Sequence, residues 1–147
     1  MAINPTAGTL TSLTSSSLGT LASANYCVSS SYNCTTNKPV DVIVETVVAT
    51  TNTPSGNKQV LVFAQASFDA ASTWQTGPTS GSTTTDEPLL TYLGTIQLQT
   101  ASTTERKAFS VFNAYGFLPP MFRVIHKNDL GVALTTGTVA TVEITVP

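Results

Sequence analysis

The chain has 147 residues, of which 41% are hydrophobic and only 10% charged, and its net charge at neutral pH is −2. That length suits a single domain whose core can stand without metal or disulfide support. The six basic residues are scattered apart from Arg106-Lys107, and no apolar run approaches the roughly 18 residues of a membrane helix, so neither nucleic acid nor a bilayer is an expected partner.

Threonine and serine supply the polarity that charge does not. Such a surface is neutral, β-prone and built of short side chains, which suits a protein packed beside other proteins; an ordinary soluble domain carries about 25% charge. Residues 1–37 are the extreme case, with no charged side chain before Lys38. Leu10, Leu13, Leu18 and Leu21 follow neither a two-residue nor a helical period. A disordered tail would carry charge and few apolar groups. The segment therefore predicts an extended arm whose leucines, with Tyr26 and Tyr32, dock on a neighbouring subunit. Its start lacks the basic region of a secretory signal, so synthesis in a cytoplasm is expected. Cys27 and Cys34 are the only cysteines. They are free thiols, a short-loop disulfide, or part of a metal site shared between subunits; one His and two Cys cannot complete a zinc site within one chain.

A β-domain is expected over 38–147. "VDVIVETVV" puts Val40, Val42, Val44 and Val48 on one face and Asp41 and Glu45 on the other. "QVLVFAQASF" turns Val60, Val62, Ala64, Ala66 and Phe68 inward, and the "NTPSGN" turn between the two predicts a hairpin. About twenty residues rich in Gly, Pro, Ser and Thr follow, a length typical of functional loops. Within them Trp74, the sole tryptophan, could close the core, anchor a neighbouring subunit or present its ring to a sugar. "LLTYLGTIQLQ" alternates Leu90, Tyr92, Gly94, Ile96 and Leu98 against polar residues, "TASTTERK" reads as a turn, and "AFSVFNA" as a short strand. "YGFLPP" turns the chain into "MFRVIHK", where Phe122, Val124 and His126 share a face, and "NDLG" ends that strand. The last strand, "TVATVEITVP", sets Val142, Ile144 and Val146 against Thr141, Glu143 and Thr145.

No helical period survives after residue 39. Six or seven short strands predict an all-β fold, an antiparallel β-sandwich of jelly-roll type carrying the N-terminal arm. Catalytic signals are weak. His126 is the only imidazole and no G-x-S-x-G elbow accompanies it. Asp41 and Glu45 sit four apart on a strand, roughly 13 Å, too far for a glycosidase pair. Asp86-Glu87 reads as loop solvation, and Asn128-Asp129 is too sparse for a calcium cage. The expectation is a protein that is not an enzyme and has no catalytic residue, cofactor or metal.

One resemblance spans residues 74–134. Leu93-Gly94-Thr95, the turn Gly116-Phe117-Leu118-Pro119, and the run from Asn128 to Leu134 resemble segments of small virion proteins of tailed bacteriophages. The resemblance implies a capsid decoration, or cement, protein with a jelly-roll fold. It would be a homo-oligomer, a trimer by expectation, on the capsid exterior, bound to the major capsid protein. Leu10, Leu13, Leu18, Leu21, Tyr26, Tyr32, Trp74 and Phe117 are the candidate interface residues. The alternative is a carbohydrate- or receptor-binding head of a virion fibre or tail, with Trp74 as the sugar platform.

Overall fold

From Asp41 to Thr50, Val42, Val44, Thr46, Val48 and Thr50 are all buried, and β-branched side chains at most positions favour the pleated backbone. The computed structural model describes residues 4–15, 17–83 and 87–146. These form β1 (Thr6–Ala7), β2 (Thr11–Leu13), β3 (Tyr26–Asn33), β4 (Asp41–Thr50), β5 (Gln59–Ser67), β6 (Thr91–Gln97), β7 (Thr103–Ser110), the short helix α1 (Val111–Tyr115), β8 (Met121–Asp129) and β9 (Thr136–Thr145).

Two antiparallel sheets face each other. The first runs β1-β9-β4-β7, with β2 also paired to β9, and the second runs β3-β8-β5-β6. Among β2 to β9, only the β5–β6 connection stays within a sheet; every other one crosses. That interleaving wraps the chain into the expected jelly roll. The main core lies between the sheets, where Val42, Val44 and Val48 meet Val60, Val62, Phe122 and Val124. A second apolar cluster, Tyr26, Phe63, Leu90 and Ile125, lies on the opposite face of the second sheet.

The long connection after β5 is fastened at the free edge of β3. Gly81 donates to the Tyr26 carbonyl at 2.8 Å, Tyr26 donates to the Ser82 carbonyl at 3.0 Å, and Val28 N–H donates to Ser80 Oγ at 3.0 Å. An ion pair between Glu87 and Lys127 fixes its end. Burial pushes the Glu87 carboxyl up, but hydrogen bonds from Lys127 and Tyr26 outweigh it and hold the group below its ordinary range. At the other side of the sandwich, Lys107 Nζ of β7 reaches across to the Thr95 carbonyl of β6 at 2.8 Å.

Much of the described part of residues 4–37 is built into the sandwich. β3 is a full member of the second sheet, and Leu13, Leu18 and Leu21 belong to the main core. Leu18 fits because β9 has no side chain at Gly137: a Cβ there would lie 2.5 Å from Leu18 Cγ. Asn128 ties the segment down. Its amide donates to the carbonyls of Leu21 and Val132 at 2.8 Å each, while its backbone pairs with Ala24 and Asn25. Thr14 and Ser30 then join the segment to β3, with Ser30 N–H donating to the Thr14 carbonyl at 2.7 Å.

Other expectations need correction. β4 and β5 do not form a hairpin, because the turn between them carries the chain from one sheet to the other. Thr103–Ser110 is a strand and not a turn, and "VFNAY" is a helix: Ser110 caps it by accepting from Asn113 N–H at 2.9 Å. In β6 a register shift opposite Val62 and Phe63 breaks the alternation, so Tyr92 meets Phe63 on the outside while Leu93 and Ile96 join the main core. The alternation expected of β9 is present, and pairing decides which set points inward. Thr141 pairs with inward Val44 and Glu143 with inward Val42, which turns Val142 and Ile144 outward beside Ile43 and Asp41. Val40 and Phe68 lie just beyond the strand ends and are exposed.

Candidate functional site

The sequence after β7 makes a short stop and a sharp exit. Asp41 Oδ2 accepts from Ser110 Oγ at 2.6 Å and its Oδ1 accepts from Phe112 N–H at 2.9 Å, so β4 clamps the first turn of α1. Gly116 ends the helix in the left-handed conformation, φ 74°, with its N–H on the Phe112 carbonyl at 2.8 Å. The chain then turns Phe117 into solvent before Leu118 packs against the core and Pro119 is buried.

Phe117 stands in a row of rings. Its centroid is 5.8 Å from Tyr115, edge to face, and 6.1 Å from Phe68, which β5 projects beyond its last residue. Phe68 is 58% exposed and Phe117 47%. The loop root under Phe68 is rigid. Asp69 Oδ1 accepts from Thr73 N–H at 2.7 Å and from Ser67 Oγ at 2.9 Å, and these bonds lower the Asp69 pKa. A neutral ladder of three aromatic rings at one end of the sandwich is suited to burying apolar area against another surface.

The remaining candidates scatter. Leu13, Leu18, Leu21 and Tyr26 are buried in the chain's own two cores and cannot anchor a neighbour. Leu10 is 49% exposed but lies away from the ladder in sequence and pairing, between β1 and β2. Tyr32 packs its ring on Phe122 at 5.4 Å and donates its hydroxyl to Glu143, whose carboxylate also accepts from the Asn37 amide at 2.9 and 3.0 Å. Burial, then Glu143, raises the Tyr32 pKa, so the phenol stays protonated. Together with Gly8, Thr9, Thr11 and Asn33 these groups line a polar cleft of about 380 Å³. Trp74 does not close the main core. It lies over the second sheet with the Arg123 guanidinium 4.6 Å from its ring centroid, and Gln65 Oε1 accepts from Arg123 Nε at 2.5 Å.

His126 is wholly buried between the sheets, where its Nε2 is 3.0 Å from Thr46 Oγ1 and not against a backbone group. Burial pushes its pKa down to about 3, so the ring is neutral. Cys27 and Cys34 are both free and buried. They stand at the two ends of the extended β3, roughly 20 Å apart at about 3.3 Å per residue, beyond the reach of a disulfide. Burial and the Glu143 charge push the Cys34 thiol up to about 12. Glu45 is paired with Arg106 at 3.0 Å, and Asp86 lies outside the described residues. Among the described residues no cluster of His, Cys, Asp and Glu could hold a metal ion, and no helix is long and apolar enough to cross a membrane. Sequence reasoning found Phe117 through its turn but missed Phe68 and Tyr115; the Asp69-Ala70-Ala71 run, which ends the strand, was the available signal for Phe68.

No protein-family model and no curated protein sequence matches the chain.

Proposed function

We propose that the chain is a non-enzymatic virion structural protein. It decorates the exterior of a phage capsid, binds the major capsid protein and cements neighbouring subunits. The observation that supports this reading is the exposed pair Phe117 and Phe68, backed by the half-buried Tyr115 ring, at a jelly-roll end where a five-residue helix and a hydrogen-bonded loop root hold the rings in place. Rigid aromatic anchors lose little entropy on docking. The low-charge surface and the resemblance of residues 74–134 point the same way. Several modest contacts per oligomer then combine through effective concentration.

The test is binding of the chain to shells of the source phage that lack it, followed by cryo-electron microscopy. Density for the jelly roll on the outer surface is expected, and the double variant Phe68→Ser, Phe117→Ser should bind at least tenfold more weakly while remaining folded. Shells that carry no such density, or that bind the variant as well as the parent, would overturn the reading. The carbohydrate alternative has lost much of its motivation, since one face of the Trp74 ring is already occupied by Arg123. Glycan-array binding that disappears in Trp74→Ala would restore it.

A further inference from the structure

The early pairing on β9 leaves a gap. β1 sets Ala7 opposite Ile144 and β2 sets Thr11 opposite Thr141, so residues 8–10 bulge past Val142 and Glu143. Gly8 bounds the gap by donating its N–H to the Glu143 backbone carbonyl at 2.8 Å. Glu143 lies opposite inward-facing Val42, so its side chain points between the sheets, where it meets Tyr32 of β3. The result is the polar cleft of about 380 Å³ at the β3 and β9 side of the sandwich. That volume is at the lower end for small-ligand pockets and suits one compact polar head.

The Glu143 side chain is half-buried, and among the described residues no cation pairs with it; the ion pairs they form are Glu45 with Arg106 and Glu87 with Lys127. Its partners are neutral. The Tyr32 hydroxyl donates to Oε1, and the Asn37 amide donates to both oxygens, at 3.0 and 2.9 Å. The negative charge is therefore left in the cleft, and it acts there: after burial, it is what raises the Tyr32 phenol and the Cys34 thiol. The donors nearest the carboxylate are spent on it, whereas Oε2 accepts a single bond among the described residues and keeps a lone pair open. A sugar hydroxyl both gives and takes hydrogen bonds, and the Tyr32 and Asn37 donors are not free to serve it. A head that only donates and carries positive charge meets both conditions, and ammonium and guanidinium groups are such heads. We propose that the Glu143 cleft is a cation site that takes an ammonium or guanidinium group, carried on a lysine or arginine side chain of another protein or on a small free amine. The site shares no residue with the Phe68 and Phe117 surface, so it stands or falls apart from the capsid reading.

Nitrogen-15 NMR of the full chain, titrated with Nα-acetyl-arginine amide, tests this. Saturable shifts are expected at the Gly8, Thr9 and Asn33 backbone amides and at the Asn37 side-chain amide, with a millimolar dissociation constant, since a single partly exposed ion pair is weak. The neutral isostere Nα-acetyl-citrulline amide should bind at least tenfold more weakly, and Glu143→Gln should weaken the arginine compound by a similar factor. A parallel titration with putrescine names the source: tighter binding of the blocked arginine supports a protein side chain, and tighter putrescine supports a free amine. Should Glu143→Gln not fold, Thr9→Lys in the exposed connection between β1 and β2 supplies the cleft with an ammonium of the chain's own and should block binding. No saturable shift with the arginine compound, equal binding of the citrulline compound or of glucose, or shifts that persist in both variants would each overturn the proposal.

Discussion

The side-chain amide of Asn128 donates to the backbone carbonyl of Leu21 across 107 positions of sequence, in a fully buried setting. The same side chain also serves Val132 and accepts from Leu130 N–H at 3.0 Å, so one residue joins the early segment to the turn after β8. Asn128→Ala should therefore destabilise the fold by about 3 kcal/mol or more, since it strands several buried polar groups at once. Removing residues 1–37 should abolish folding altogether, because β3 and three core leucines go with them. Urea titration followed by circular dichroism checks both. A truncated chain with a cooperative transition would contradict the account.

Stability should depend on pH through His126. Its folded pKa is about 3 and its unfolded value about 6.5, so between these the unfolded chain binds the proton and the folded chain does not. Stability is therefore complete above about pH 6.5 and falls as pH drops toward 3, by up to about 1.4 kcal/mol per pH unit. Unfolding midpoints at pH 7, 6 and 5 isolate this residue from most carboxylates. The pair of substitutions His126→Leu and Thr46→Val should flatten the dependence in that window; an unchanged slope would assign it elsewhere.

Trp74→Ala should cost about 1–2 kcal/mol through the lost contact with Arg123. The more telling readout is local. Limited proteolysis should cut within 69–83 much faster in the variant, while the sandwich itself stays resistant. Equal cleavage rates would mean that the Ser80 to Ser82 bonds alone hold the loop.

Neither cysteine should react in the native state. Both thiols are buried, and the Cys34 thiol is pushed up to about 12, which leaves almost no thiolate at neutral pH. An Ellman titration should give no fast-reacting thiol in buffer and two in guanidinium chloride, and a reductant should leave the melting temperature unchanged.

The sheet cores were legible wherever one face was plainly apolar. β8 turns Phe122, Val124 and His126 inward, as its alternation requires, and β5 does the same with Val60 and Val62. In β9 the alternation was legible but not which set faces inward, because pairing with β4, and not hydropathy, chose it: Thr141 is buried opposite Val44 while Val142 points out. Period analysis was blind to Leu18 and Leu21, which are buried from a 3-10 turn and a loop. Of the aromatic row, only Phe117 could be read, through the Gly116 turn. Phe68 was hidden by an alternation that continues past the true end of its strand.

The Lys107 contact with the Thr95 carbonyl bears on how such molecules behave when crowded. An uncovered sheet margin invites the next molecule to add itself, and that growth has no natural stop. Here the gap between the last strands of both sheets is bridged by an ammonium group, with Glu105 also turned toward it, and the free edge of β3 is occupied by Ser80 to Ser82 and by Thr14. Strand addition at these margins is disfavoured, so the concentrated protein should stay free of fibrils.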